Sequence, residues 1–356
     1  MIRAVSAGGC VIYGGSLAHR GGTGVYLRRL LRGLLELRAD RVLVASPQGL
    51  VGPAEALALK DWPTGMAKVL FEQMRAPGLA RRHGAVAVHL PAFAGRAPIG
   101  AAALVTVHDM AHAANPGWFP FPRSLYYRLA FGRIARRADL VLTDSRFTAD
   151  EAVRMAGVER SRIRVVYLSA DNGPAEPEPL MKRLGLEKSY LLYVGTVEPR
   201  KNLDALLDAL GRVREKRPGT QLLVAGRWGW GPAGLASRLR QEPGVVWDGA
   251  LSELDLRRAY TGASLLVYPS LYEGFGLPPL EAARVGTPSV IGPAEALREV
   301  YAGAAFASDG DAHSLAETVL KALDSPPPSG MAPLARRRTN ARMAEEVIGI
   351  YREAGA

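Results

Sequence analysis

Short apolar runs alternate with longer amphipathic segments along most of the chain. Runs of about four or five apolar residues predict strands that are buried on both faces of a sheet. In Val25–Leu37, apolar residues lie three and four apart with arginines on the other face, which predicts an amphipathic helix. This alternation is typical of α/β domains with parallel sheets. The predicted strands are Val42–Ser46, Val86–Leu90, Leu104–Val107, Leu140–Thr143, Ile163–Val166, Tyr190–Val194, Gln221–Ala225, Val245–Trp247, Ser264–Tyr268 and Ser289–Ile291.

The length of the chain indicates two domains, because 356 residues exceed what a single core usually holds. Asp171–Leu180 carries three prolines among acidic residues and predicts the linker. We therefore expect one Rossmann-like domain at 1–170 and a second at 171–335, followed in 336–356 by a last helix over Arg336–Glu353. Helices of the second domain are expected to begin near Leu203, Ser252, Pro279 and Ser314.

Positive charge is concentrated in the first half of the chain. Residues 1–170 contain 23 Lys and Arg against 11 Asp and Glu, a formal charge of +12, whereas the remainder contains 22 against 23, a charge of −1. Such a half is expected to meet an anionic or lipid-linked acceptor, or the surface of an anionic membrane. Nucleic acid is not an expected partner, since no binding motif is present and aromatic residues make up only 7%. The cations expected to cluster are Arg28, Arg29, Arg32, Arg133, Arg136 and Arg137, with Leu125, Tyr126, Leu129 and Phe131 as apolar neighbours.

Cysteine content and hydropathy predict the compartment. The single cysteine, Cys10, excludes a disulfide framework and fits a reducing cytosol. No secretory signal is recognisable at the N-terminus, and no apolar run approaches the ~18 residues of a membrane span. We expect a cytoplasmic protein, or one at the inner face of the membrane.

The segment Tyr268–Glu281 contains more candidate site residues than any other segment. Glu273 and Glu281 have seven residues between them and flank a turn that follows a predicted strand. A strand, a glycine turn and a helix start gather backbone N–H groups that hold phosphate. Carboxylates accept hydrogen bonds from hydroxyl groups, so the pattern predicts a site for a sugar nucleotide. The residues expected to bind it are Gly274, Phe275, Gly276, Leu277 and Glu281, with Glu273 at the reacting sugar.

A second candidate group follows the strand that ends at Val194. Gly195 comes directly after this strand, and Arg200 and Lys201 precede a helix. Cations are disfavoured at a helix N-terminus, which favours a functional reason for them. Two cations suit a diphosphate leaving group, whose negative charge grows as the glycosidic bond breaks.

Other candidates occupy strand ends or glycine loops. His108 follows the strand Leu104–Val107, and Gly226 follows Gln221–Ala225. Gly22 and Gly24 precede the first predicted helix and would expose backbone N–H groups. No metal site is expected, because no Cys, Asp or Glu at ligand spacing completes a pair of His108 with His112.

Taken in order, these segments resemble glycosyltransferase family 4, the group 1 retaining glycosyltransferases with the GT-B fold. Glu273–Glu281 resembles the E-x7-E motif of this family, and the resemblance runs from about residue 8 to 310. The other matching segments are Gly21–Tyr26, Val107–Asp109, Asp144–Phe147, Tyr193–Asn202 and Glu299–Val300. Most members carry an arginine directly after the first glycine of the phosphate loop, whereas this chain has Thr196. Arg200 stands in for it in the subgroup with the sequence E-P-R-K-N.

The resemblance implies two Rossmann-like domains that face each other across a cleft, with a last helix returning to the first domain. It implies transfer with retention from a nucleoside-diphosphate sugar to a hydroxyl group, without a metal or a further cofactor. His108 would steady charge at the anomeric carbon, Lys201 and Arg200 would hold the diphosphate, Glu273 the sugar, and Glu281 the ribose. The subgroup favours GDP-mannose as donor.

Two alternatives remain open from the sequence. A GT-B epimerase or phosphorylase shares the architecture, although neither proton-transfer carboxylates nor a motif for a lysine-bound cofactor is recognisable. A non-catalytic basic protein that binds an anionic polymer or membrane would have no reason to keep both Glu273 and Glu281 beside a pair of cations.

Overall fold

The computed structural model describes residues 9–19, 21–39, 41–92, 95–119, 132–170, 172–187, 189–232, 234–249 and 251–356. The chain divides into two compact units. The first comprises Met1–Ser169 with Arg338–Ala356, and the second comprises Ala170–Arg337. Each unit is built on its own sheet with helices connecting the strands.

A seven-stranded sheet forms the first unit, in the order β3-β2-β1-β4-β5-β6-β7. All neighbouring strands are parallel except β3, which pairs antiparallel with β2 at the edge. Parallel order follows from the helical crossovers between successive strands. The strands are β1 Cys10–Tyr13, β2 Val42–Ser46, β3 Gly49–Val51, β4 Ala87–Leu90, β5 Ala102–Val107, β6 Leu140–Thr143 and β7 Ile163–Val165.

Helices of the first unit include one from the far end of the chain. Asn340–Glu353 packs against Gly22–Glu36, and the Tyr351 hydroxyl lies 2.6 Å from Nδ1 of the buried His89 in β4. The other helices are Pro53–Ala58, Gly65–Leu70, Ala76–Arg82, Ala111–Ala114 and Arg146–Ala156, and residues 132–137 are also helical. Shorter turns are the π-helical Phe71–Arg75 and the 3-10 segments Gly14–Ala18, Pro116–Trp118 and Arg160–Arg162.

The second unit contains a six-stranded parallel sheet in the order β10-β9-β8-β11-β12-β13. Its core lies between the sheet and the helices Leu203–Lys216 and Ala312–Asp324, whose apolar faces are buried. The strands are β8 Leu191–Val194, β9 Leu222–Ala225, β10 Val245–Asp248, β11 Leu265–Tyr268, β12 Ser289–Ile291 and β13 Phe306–Ala307. The remaining helices are Glu178–Leu184, the 3-10 turn Pro199–Lys201, Leu235–Gln241, Glu253–Gly262, Leu277–Arg284, Glu295–Val300 and Met331–Arg337.

The predicted α/β fold class is confirmed, and each predicted strand is present with its ends shifted by two residues at most. The predicted last helix Arg336–Glu353 is wrong in its start, because the structure has two helices there. Arg338 and Thr339 separate them, and the Thr339 hydroxyl caps the second helix by accepting from the Arg342 N–H at 3.3 Å.

Part of the expected basic cluster serves the packing of the first unit. Arg29 is only 8% exposed and donates to the Ser169 carbonyl at 2.5 Å, so the expectation that it faces a membrane is wrong. Arg28 and Arg136 also donate to carbonyl oxygens. The apolar neighbours proposed for the cluster, Leu125, Tyr126, Leu129 and Phe131, lie outside the described residues. Within the described ranges, no helix is long and apolar enough to cross a membrane.

Gly33 generates a prediction about the packing of the first unit. A Cβ at Gly33 would lie 2.2 Å from the Asn340 carbonyl oxygen, so Gly33→Ala forces apart the helices Gly22–Glu36 and Asn340–Glu353. We expect a loss of about 2 kcal/mol in the free energy of unfolding, measured from urea denaturation.

The matched control is Gly349→Ala on the partner helix, where a Cβ meets nothing within 4 Å. Because alanine has the higher helix propensity, we expect this variant to gain up to about 1 kcal/mol. Equal stabilities for the two variants would contradict the close packing at Gly33.

Candidate functional site

The carboxyl edge of the second sheet carries most of the sequence-predicted residues. Gly195 follows β8, Gly226 follows β9, and the segment that leads to Glu273 follows β11. These strands are neighbours in the order β9-β8-β11, and all are parallel. Their carboxyl ends therefore lie along one edge, which is where ligands bind in open α/β sheets.

Lys201 and Glu273 form a buried ion pair at this edge. The Lys201 ammonium donates to the Glu273 carboxylate and, at 2.8 Å, to the hydroxyl of Tyr268. That hydroxyl in turn donates to Oε1 of Glu273 at 2.8 Å. The hydroxyl of Tyr268, the last residue of β11, thus contacts both charged groups.

Arg200 joins the same cluster from the other side. Its Nη1 donates to Oε2 of Glu273 at 3.1 Å and to the Tyr272 carbonyl at 3.0 Å, while Nε donates to Oε1 of Glu198 at 2.6 Å. Two cations therefore face two carboxylates. Glu198 is a member of the site to which the sequence assigned no role, although it stands two residues before Arg200 in the quoted motif.

Burial and charge act in opposite directions on the carboxylate of this cluster. Burial raises the pKa of Glu273, but the charges of Lys201 and Arg200 lower it by a larger amount. The resulting pKa is about 2. Burial and the neighbouring Arg200 lower the pKa of Lys201, although Glu273 opposes them. Glu273 is therefore ionised at neutral pH and can only accept hydrogen bonds, as recognition of hydroxyl groups requires.

The packing around the glycines at this edge requires them, independently of their candidate roles in binding a nucleotide sugar. A Cβ at Gly226 would lie 1.8 Å from the Gly195 carbonyl oxygen, so the two loops approach each other too closely for a side chain. Gly276 has φ +84, and a Cβ there would lie 2.3 Å from Leu297. The Phe275 ring is buried and packs edge-on against Tyr301.

Glu281 lies one turn into the helix Leu277–Arg284, which begins directly after Gly276. The Tyr260 hydroxyl donates to its Oε2 at 2.7 Å, and Asn172 donates to its backbone carbonyl at 3.1 Å. Glu281 and Leu277 are half-buried, and Gly274 is buried. Glu281 is thus held in place by a partner separate from the Lys201–Glu273 cluster.

In the first unit, His108 and Asp144 form a dyad at the carboxyl edge of the sheet. The last residues of β5 and β6, Val107 and Thr143, are paired in register, so the residues that follow them lie side by side. Nδ1 of His108 is 2.7 Å from Oδ2 of Asp144. No role was predicted for Asp144 from the sequence, although both residues directly follow strands that an α/β order makes neighbours.

Asp144 fixes the protonation of His108. Burial lowers the pKa of His108, but the charge and hydrogen bond of Asp144, together with the charge of Asp109 and a hydrogen bond to the Pro91 backbone, raise it above its ordinary value. Nδ1 is therefore the proton donor to Asp144.

Gly22 and Gly24, in the glycine loop of the first unit, differ in whether packing requires a glycine. A Cβ at Gly24 would lie 1.8 Å from the His19 carbonyl oxygen, so packing alone requires glycine there. Gly22 opens the helix Gly22–Glu36, is exposed and has nothing near a Cβ, so packing does not explain it. As for metal sites, no group of three or more His, Cys, Asp or Glu suited to a metal ion occurs among the residues described.

Both halves of the chain match known protein families. The model of glycosyl transferases group 1 matches residues 179–343, and that of glycosyltransferase family 4 matches residues 20–173. The chain is 33% identical over 232 residues to the O-antigen chain mannosyltransferase B of Escherichia coli, covering 62% of this chain and 61% of the relative. It is 26% identical over 231 residues to the O-antigen chain mannosyltransferase RfbU of Salmonella typhimurium, covering 63% and 61%. The matches thus span 61% of the length of these two relatives.

Solved structures resemble the chain over nearly its whole length. Anabaena HepE in complex with UDP-glucose has a TM-score of 0.73 at 18% identity and covers 97% of this chain and 99% of its own. Sucrose-phosphate synthase from Thermosynechococcus elongatus has a TM-score of 0.71 at 19% identity, with coverage of 97% and 98%. At these identities the likeness concerns the fold, which is GT-B. With two family models that together match most of its length, the chain belongs to the group 1 glycosyltransferases, family 4, of GT-B fold.

Proposed function

We propose that this protein transfers a sugar, with retention of configuration, from a nucleoside-diphosphate sugar to a hydroxyl group of an acceptor. The observation that carries the proposal is the buried cluster of Lys201, Arg200 and Glu273 at the carboxyl edge of the second sheet. In this cluster, two cations can balance the charge of a diphosphate. The ionised carboxylate beside them can accept hydrogen bonds from the hydroxyl groups of a sugar. The first test is incubation with a panel of nucleotide sugars, with thermal shift and slow donor hydrolysis as readouts. No stabilisation and no hydrolysis with any donor would contradict the proposal.

In this proposal, Lys201 and Arg200 bind the diphosphate and stabilise it as it leaves. Lys201 contacts Oε1 of Glu273 and Arg200 contacts Oε2. Arg200 also presents a planar guanidinium suited to phosphate. Glu273 accepts hydrogen bonds from the hydroxyls of the donor sugar. Glu281 binds the ribose, and its hydrogen bond from Tyr260 orients the carboxylate. The edge glycines Gly195 and Gly226 place backbone groups near the nucleotide.

For His108 we propose that the neutral imidazole, oriented by Asp144, or the backbone carbonyl beside it steadies positive charge that builds at the anomeric carbon. The leaving phosphate itself takes the proton of the acceptor, so this proposal needs neither a metal nor a further cofactor. Gly22 presents a backbone N–H group at the start of the first helix, whereas the N–H of Gly24 donates to the Gly21 carbonyl at 3.0 Å, so the expectation that Gly24 exposes a free N–H group is wrong.

The preference for GDP-mannose as donor remains part of the proposal. Two matched relatives are O-antigen mannosyltransferases, which supports mannose and an acceptor that is a growing polysaccharide. The formal charge of +12 in residues 1–170 supports an anionic or lipid-linked acceptor, with contact to the inner face of a membrane.

Lys201→Ala tests the role of the cations. The leaving diphosphate loses a direct countercharge, so we expect turnover to fall by about a hundredfold, or about 3 kcal/mol of transition-state stabilisation. Donor hydrolysis measures this loss, with Lys216→Ala as the control because Lys216 is exposed at the end of a helix of the same unit. Turnover like that of the wild type in folded Lys201→Ala protein would refute the assignment.

Two glutamate variants separate binding of the nucleotide from binding of the sugar. Glu273→Gln removes the charge that competes for Lys201 and Arg200, so we expect free nucleoside diphosphate to bind no more weakly than to the wild type while transfer falls. Glu281→Ala loses the contact to the ribose, and we expect weaker binding of the free nucleotide. Titration calorimetry with the nucleoside diphosphate measures both affinities, and the opposite pattern would mean that the two roles are exchanged.

Asp144→Asn tests the positioning of His108. Because the charge of Asp144 raises the pKa of His108, we expect the imidazole to titrate at lower pH in the variant, as measured by NMR of the ring. Turnover should fall about tenfold through loss of a charged hydrogen bond. Asp150→Asn is the control, since Asp150 is 70% exposed in its ion pair with Arg160. An unchanged His108 titration would show that Asp144 does not set its protonation.

A further inference from the structure

Three large apolar side chains are exposed along the helical segment 65–75 of the first unit. Met66, Leu70 and Met74 are 72%, 52% and 70% exposed. They are four residues apart, and residues at this spacing are neighbours on one face of a helix. Single exposed apolar residues are ordinary, but a contiguous row of them marks a surface of interaction. We call these three residues the apolar stripe.

The geometry of the helix keeps the stripe in line. Gly65–Leu70 is α-helical, so a step of four residues overshoots one full turn by about 40°. Phe71–Arg75 is a π-helical turn with i→i+5 hydrogen bonds, so the four residues from Leu70 to Met74 turn through a smaller angle. The π-helical turn therefore offsets the drift of the α-helix, and Met74 returns toward the line of Met66.

The buried face of the same segment carries charged residues. Lys68 and Glu72 are 7% and 2% exposed, and they form an ion pair in which Nζ lies 3.8 Å from Oε2. Phe71, 8% exposed, is buried with them. A surface helix in water normally has its apolar residues inside and its charged residues outside. Because this segment has charges inside and the apolar stripe outside, its outer face is suited to an apolar environment.

A second exposed apolar residue lies in a loop that is tied to the end of the stripe. Nε of Arg96 donates to the Gln73 carbonyl at 2.9 Å, and Gln73 is the neighbour of Met74 in the chain. Ile99, three residues after Arg96, is fully exposed. The loop thus adds a fourth large apolar side chain to this region of the surface.

Positive charge accompanies the stripe. In 60–82 and 95–100, the exposed charged residues are five cations and one acid, namely Lys60, Arg75, Arg81, Arg82 and Arg96 against Asp61. Lys60, Arg75 and Leu70 line the same open cleft, so cations lie directly beside the stripe. Apolar side chains with neighbouring cations are the combination that binds the surface of an anionic bilayer. A second copy of this chain is disfavoured as the partner, because a two-fold contact would place these cations against each other.

We propose that the apolar stripe and Ile99 enter the headgroup region of an anionic bilayer, while the neighbouring cations contact lipid phosphates. The open cleft beside Leu70 has a volume of about 640 Å3 and is also lined by Trp62 and Pro47. Pro47 directly follows β2, at the carboxyl edge where ligands of α/β sheets bind. Docking through the stripe therefore holds this edge of the first unit at the bilayer surface, where a lipid-linked acceptor would reach it. The inference deepens the proposed function and rests on it for that acceptor.

Vesicle flotation measures the binding. The wild type is expected to bind vesicles of phosphatidylglycerol and phosphatidylcholine, and to bind phosphatidylcholine alone more weakly. Binding to the mixed vesicles should weaken in high salt, which screens the cations. Leu70→Gln should reduce the affinity by about tenfold, and the combined variant M66Q/L70Q/M74Q by about a hundredfold or more, because the bilayer loses their apolar surface.

The matched control is Leu254→Gln. Leu254 is 46% exposed, close to the 52% of Leu70, but it lies on the helix Glu253–Gly262 of the second unit. Leu254→Gln should bind the mixed vesicles as the wild type does.

A fluorescent label distinguishes insertion from adsorption by charge alone. Met66→Cys and Leu254→Cys are each labelled with an environment-sensitive NBD group. Cys10 does not compete for the label, because it is only 1% exposed and burial raises the pKa of its thiol. NBD emission at position 66 should shift to the blue on the mixed vesicles, whereas emission at position 254 should stay unchanged.

Failure of the wild type to bind the mixed vesicles would overturn the inference, as would wild-type binding by the folded M66Q/L70Q/M74Q protein. A label at position 66 that stays in water on bound protein would also overturn it. A wild-type dimer that the triple substitution dissociates, without any binding to vesicles, would make a second copy the occupant of the stripe. Vesicle binding by a protein that hydrolyses no donor would sink the proposed function and leave this inference standing, whereas donor hydrolysis without vesicle binding would do the reverse.

Discussion

Parallel pairing of the strands is the constraint on which both candidate sites depend. In a parallel sheet every carboxyl end lies along the same edge, so residues far apart in sequence meet directly after their strands. His108 and Asp144 are 36 positions apart, and their contact of 2.7 Å follows from the register of Val107 with Thr143. Arg200 reaches Glu273 across 73 positions because β8 and β11 are neighbours. A shift in register would separate these charges without changing any local element.

Much of the fold could be predicted from the sequence, because buried strands of a parallel sheet are continuous apolar runs. The pattern is weaker where burial is partial: β3 is half-exposed, and β13 has only two residues. Neither strand was predicted. The break at Arg338 and Thr339 was missed because an amphipathic pattern continues through it, and only the capping hydroxyl of Thr339 marks the new start.

The candidate site was predicted as separate residues and not as a cluster. Lys201, Arg200 and Glu273 were recognisable from their motifs, but a motif does not say that the three charges pair with one another when no donor is bound. Asp144 could have been predicted, because it directly follows β6. This strand is the neighbour of β5, which ends just before His108.

Charge balance explains how the second unit keeps its site intact before a donor arrives. Glu198 and Glu273 neutralise Arg200 and Lys201, so no cation is left buried without a countercharge. A diphosphate that binds as proposed brings its own negative charge to the two cations, and it must share them with Glu273. The carboxylate then loses part of its hydrogen bonding and regains it from the hydroxyls of the donor sugar. In the proposed function, binding of the phosphate and recognition of the sugar would therefore be coupled through the two oxygens of Glu273, and a nucleotide without its sugar would leave that exchange incomplete.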